Sequence, residues 1–116
     1  MALTAGFFDA DSGNGLPATV NNLTVNNTAG VTLTGSPTIN GVLTLTSGKL
    51  ITAANTPVIA AGASIVGASP NTYVVGTLQK TFNTGNGQSF AFPVGSASAY
   101  APIGVTSLNV GTSGGL

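Results

Sequence analysis

A chain of 116 residues is long enough for one domain or two small subdomains, and with 42% apolar residues it can build a core. Only 3% of its residues are charged (Asp9, Asp11, Lys49 and Lys80) and its formal net charge is zero, whereas soluble domains usually carry about a quarter charged residues. That neutrality argues against nucleic acid or anionic lipid as partner, and the lack of cysteine excludes disulfides as a stabilising device.

A surface so poor in charge is expected to meet other protein, to carry glycan, or to belong to a larger assembly, because net charge is what ordinarily keeps soluble proteins apart. Abundant Val, Ile and Thr in alternating order argue against disorder. No apolar run approaches the roughly 20 residues of a membrane helix. The opening MALTAGFFDADS lacks the basic stretch of a signal peptide, so a mature chain or an excised segment is expected.

Residues 1–18 differ in character from the rest of the chain. Residues 3–8 read as a strand or hydrophobic peg with Phe7 and Phe8 as its anchor, and Leu3, Phe7 and Phe8 are candidates for a contact between subunits. Asp9 and Asp11 in a Gly-rich loop begin like a calcium loop. Gly13 then stands where a third oxygen ligand is needed, and no acid comes after it at the distance of a bidentate Glu. A solvated turn is the expectation, with no metal and no cofactor.

Residues 19–68 form a repeat region. Short cores such as Leu23-Thr24-Val25, Val31-Thr32-Leu33 and Leu43-Thr44-Leu45 alternate apolar and polar side chains, which sends them to opposite faces of short strands. Asn26-Asn27, Gly35-Ser36-Pro37, Asn40-Gly41 and Ser47-Gly48 supply corners. The period is loose, about 18–20 residues, the size of small solenoid coils. Val20, Leu23, Val25, Val31 and Leu33 are expected to point inward in one coil. Ile39, Val42 or Leu43, Leu45 and Leu50 do so in the next, then Val58, Ile65 and Ile59 or Val66.

Residues 69–116 read as an antiparallel unit: one long strand over 73–82, a hairpin turn at 83–87, a return strand over 89–92 carrying Phe90 and Phe92 on one face, and a third strand over 100–110. Residues 111–115 read as a flexible end. Three strands are too few to close a sandwich, so the solenoid, the N-terminal segment or another subunit is expected to complete this meander.

The succession TINGVLTLTSGKL, YVVGTLQKTF and FAFPVGSASAYAPIGV resembles a repeat module of large secreted adhesin-like surface proteins of Gram-negative bacteria that carry a C-terminal sorting domain. The resemblance covers roughly residues 19–106 and is most specific at Gly76, Leu78, Lys80, Phe92-Pro93-Val94-Gly95, Tyr100 and Pro102. The family commonly has Arg between that Tyr and Pro, where this chain has Ala101, and its unit continues with further strands past the position of Leu116. The resemblance implies export, a cell-surface setting and a structural or adhesive task, and it implies no catalytic residue.

Without His or Cys the usual general base and thiol nucleophile are absent, and Asp9 and Asp11 are too local to act as a glycosidase pair across a sugar. A non-enzymatic protein is therefore expected. Asn22 and Asn26 each begin an N-glycosylation pattern. Tyr73 and Tyr100 are candidates for stacking on a sugar ring. Thr32/Thr34 and Thr44/Thr46 are candidates for an ice-binding array.

The combined expectation is an all-β protein, a short β-solenoid followed by an antiparallel meander or incomplete sandwich. Its expected role is a subunit or module of an extracellular filament or adhesin that binds copies of itself head to tail, surface glycans being a further candidate partner. A carbohydrate-binding or ice-binding solenoid module is the alternative.

Overall fold

The computed structural model describes residues 2–4 and 17–116. The chain is all-β: no helix occurs among these residues, and a β-solenoid of about four turns carries an antiparallel strand pair. Strand β1 (Ala2–Thr4) precedes the first coil. That coil holds β2 (Thr19–Val20), β3 (Leu23–Asn26) and β4 (Val31–Thr32). The second holds β5 (Thr38–Ile39), β6 (Val42–Ser47) and β7 (Leu50–Ile51). The third holds β8 (Val58–Ile59), β9 (Ser64–Val66) and β10 (Val74–Val75). The fourth opens with β11 (Gln79–Phe82), leaves the coil through β12 (Gly85–Phe92) and returns as β13 (Val94–Gly95). Strands β14 (Ile103–Val110) and β15 (Gly114–Gly115) complete the chain.

Stacking these coils makes three parallel faces. The first runs β2-β5-β8-β11 and is closed by β15, which pairs antiparallel with β11; the second runs β1-β3-β6-β9; the third runs β4-β7-β10-β13. Backbone bonds join each rung to the next, as in Thr38 N–H to Ala18 O at 2.9 Å, Val58 N–H to Pro37 O at 2.9 Å and Gln79 N–H to Pro57 O at 3.0 Å.

Register puts like on like. Leu23 stacks on Leu43 and Leu43 on Ile65; Val31 stacks on Leu50, then Val74, then Val94. Val20, Leu23, Val25, Val31, Leu33, Ile39, Leu43, Leu45 and Leu50 are all buried, as their alternation predicts. In the second coil the inward residue is Leu43, with Val42 half-buried; in the third it is Ile59, with Val58 half-buried. Ile65 is only half-buried and Val66 is exposed.

The C-terminal half departs from its expected arrangement. Residues 73–82 do not form one strand. Gly76, at φ +117°, turns the chain so that β10 joins the third face and β11 the first. Alternation survives the corner, with Val74, Leu78, Lys80 and Phe82 all buried, which is why a straight strand and a turned one look alike in sequence. Coil pairing therefore continues past residue 68 to β13. The antiparallel partner of β12 is β14 rather than residues 73–82. Residues 111–115 are not a loose end, since Gly114 and Gly115 pair with Phe82 and Thr81.

Corners where coils approach closely need glycine. Gly48 sits at φ +76°, and a Cβ there would run into the carbonyl oxygen of Asn27 one coil away. Gly48→Ala is expected to destabilise the fold by more than about 1 kcal/mol, through both backbone strain and that clash. Leu43→Ala, at a fully buried position between two neighbouring coils, is expected to cost about 2–5 kcal/mol. Denaturant unfolding monitored by far-UV circular dichroism checks both values.

Candidate functional site

The end of a solenoid poses a chemical problem: the last corner has no following coil to bond to. Here the third coil turns at residues 60–63, and the fourth coil leaves before it can build a rung on the second face. Lys80 fills the gap. It continues the interior column Val20–Ile39–Ile59 in the fourth coil and is 5% exposed. Its Nζ donates to the carbonyls of Ala60 at 2.7 Å, Ala61 at 2.9 Å and Ala63 at 3.1 Å. Three charge-assisted bonds of about 1.5–3 kcal/mol each offset a desolvation cost of several kcal/mol for a buried ion. Burial holds the ammonium's pKa below the usual lysine value. The ring of Phe90 lies 5.2 Å from the same nitrogen and meets Phe92 edge to face at 4.9 Å, so Lys80 also pins β12 under the last corner.

Lys49 plays a parallel part on the third face. Its Nζ donates to Ala97 O at 2.9 Å and lies 5.0 Å from the centre of the Tyr73 ring. Tyr73 donates its hydroxyl to Ser96 O at 2.8 Å and packs against Tyr100 with ring centres 5.0 Å apart. At 1% exposure, Tyr73 has no free ring face for a sugar. It is a core residue holding the turn at 96–99, because Lys49 and Tyr100 already stack on it. Tyr100 is half-buried against that cluster.

The candidate glycosylation residues both bond within the chain. Asn22 is exposed and accepts a bond from Val42 N–H at 3.0 Å through Oδ1; half-buried Asn26 accepts one from Ser47 Oγ at 2.7 Å. Both side-chain oxygens thus link one coil to the next. The threonine pairs make no continuous array: Thr24 stacks on Thr44 but Thr44 on Val66, and Thr32 stacks on Ile51. The backbone of Leu3 lies in β1, paired with Val25 of its own chain. Phe7, Phe8, Asp9 and Asp11 lie outside the described residues. Among those described, no three His, Cys, Asp or Glu side chains come together as a metal site, and no helix is long and apolar enough to cross a membrane.

Two surfaces remain. The large hydrophobics exposed among the described residues are Val66, Ile103 and Leu116, at 47%, 57% and 57%; Val66 lies on β9, the last rung of the second face, Ile103 on β14 of the antiparallel pair, and Leu116 just after β15. Ile103 and Leu116 border an apolar groove of about 430 Å³ together with Leu78, Phe92, Val94 and Val105. On the second face, β9 carries a strand on one side only. The second surface is a polar groove of about 410 Å³ between the second and third faces, lined by Thr28, Thr46, Ser47, Ser69, Asn71 and Thr72. The buried hydroxyl of Thr72 has no hydrogen-bond partner there.

Lys80→Met keeps the aliphatic stem and removes the three donors. It is expected to lower unfolding free energy by about 3 kcal/mol, the scale of a buried charge network broken on one side, as measured by the shift of the denaturant midpoint. Comparisons with protein-family models, with curated proteins and with solved structures found no match for this chain.

Proposed function

We propose that this protein is a structural module of an extracellular filament or surface adhesin, assembling with copies of itself through strand edges and the ends of its solenoid. The observation that carries this reading is the exposed apolar surface of the C-terminal half, where Ile103 and Leu116 border an apolar groove and Val66 is exposed on β9, the last strand of the second face. Solenoids ordinarily close their ends with polar caps, and unguarded strand edges pair with other chains. Here both described lysines are turned to internal work, so neither guards that surface. Export, a cell-surface location and glycosylation at Asn22 or Asn26 belong to the same reading. They rest on the adhesin-like resemblance and on the low charge of the chain.

Carbohydrate binding is a second reading, and it moves from Tyr73 to the polar groove, whose Thr28, Thr46, Ser47, Ser69 and Asn71 side chains offer hydroxyl and amide groups to a hydroxylated ligand. Saturable polysaccharide binding by a monomer, lost in Asn71→Ala, would support it.

Negative-stain electron microscopy with light scattering tests the main reading. Uniform filaments are expected, persisting as ionic strength rises and weakening on cooling, because the contact is apolar and nearly uncharged. A dispersed monomer at every concentration would overturn self-assembly.

A further inference from the structure

The antiparallel ribbon β12–β14 carries an Asn-Gly pair, Asn86–Gly87, at an irregular place in its ladder. Gly85 pairs with Val110 and Gln88 with Leu108. Asn86 and Gly87 thus stand opposite the single residue Asn109, a bulge in which the ladder cannot serve every amide. A side chain serves Gly87 instead: its N–H donates to Asn109 Oδ1 at 3.0 Å. Gln88 ties the rest of the bulge, donating through Nε2 to Asn83 O and to Gly85 O. Gly87 sits at φ +68°, and both it and Asn86 are exposed.

Asparagine is chemically labile, most so before glycine, whose missing Cβ leaves the following peptide nitrogen unhindered. In the reaction Gly87 N forms a bond to Asn86 Cγ while the bond from Cγ to Nδ2 breaks. Nδ2 takes the proton given up by Gly87 N and leaves as ammonia. Water then adds to the five-membered imide and opens it on either side, leaving aspartate or isoaspartate at position 86. No further reactant is needed. Gly87 N cannot attack while its hydrogen is held by Asn109, because the nitrogen must shed that hydrogen and turn toward Cγ.

We infer that Asn86 is a site of slow self-modification in this protein, and that Asn109 sets its rate by holding the Gly87 N–H. Asn40–Gly41, the other such pair among the described residues, is locked between coils. Asn40 N–H bonds Val20 O at 2.9 Å, Gly41 N–H bonds Asn21 O at 2.6 Å, and a Cβ on Gly41 would run into that same Asn21 oxygen. A Cβ on Gly87 would meet nothing within 4 Å. The bulge at Asn86 therefore opens locally, without parting one coil from the next. Asn14–Gly15 lies outside the described residues. Each conversion at Asn86 adds a negative charge to a chain of formal net charge zero, on a ribbon whose two strands hold no charged residue.

Peptide mapping by mass spectrometry, after incubation of the folded protein at mildly alkaline pH, reads each Asn-Gly site separately. Asn86 is expected to convert faster than Asn40, and both more slowly than in the chain unfolded in urea. Asn109→Ala is expected to raise the rate at Asn86 roughly two- to tenfold, the weight of one neutral hydrogen bond, and to leave Asn40 unchanged. Asn109→Asp, which keeps an oxygen acceptor in place, is expected to convert no faster than the wild type. An unchanged rate at Asn86 in Asn109→Ala would overturn the guarding role. Equal increases at Asn86 and Asn40 would overturn it too, by marking a general loosening of the fold. Conversion of Asn40 ahead of Asn86 in the wild type would overturn the choice of site.

Discussion

Stacking is the constraint on which everything else in this protein depends. A single coil offers a few short strands around a narrow interior and leaves half of its backbone groups facing the next level. It gains stability only when a second coil lies in register, placing Leu43 on Leu23 and Leu50 on Val31 and carrying each rung's amides to the carbonyls of its neighbour. The corners obey the same demand. Gly48 leaves room for the Asn27 carbonyl, while Asn22 and Asn26 use their side-chain oxygens to tie one corner to the next.

A stack that depends on neighbours is most exposed where neighbours run out. This chain solves part of that problem with cations directed inward. Lys80 stands in an otherwise apolar column and gives its three protons to the carbonyls of the last corner, while Lys49 ties the turn at 96–99 to the third face across Tyr73. The antiparallel pair β12–β14 then lies under the fourth coil, with Phe90 and Phe92 against its end. These devices satisfy the polar groups of the end without making its surface polar. Val66, Ile103 and Leu116 stay in contact with solvent, and the second face stays one strand short. The groove bordered by Ile103 and Leu116 is apolar and has no charged residue in its lining.

Sequence alone determined the class of the fold and most of its interior. Alternation around Thr24, Thr32 and Thr44 placed Leu23, Val25, Val31, Leu33, Leu43 and Leu45 inside, because a period of two allows one choice of buried face once apolar residues occupy every second position. The turn residues set the coil length for a similar local reason. Tertiary structure decided what local pattern leaves open. Alternation from Val74 to Phe82 is equally compatible with one straight strand and with two strands around a corner; Gly76 at positive φ, and the coils already waiting to be paired, chose the corner. Lys80 reads as a surface charge until the column above it and the unpaired carbonyls beside it are brought together from 17 to 20 positions away. The same holds for Tyr73, whose burial comes from Lys49 and Tyr100. The stop of the second face at β9 is also a tertiary fact, since counting rungs requires knowing which face each short strand joins, and no strand carries that in its own residues.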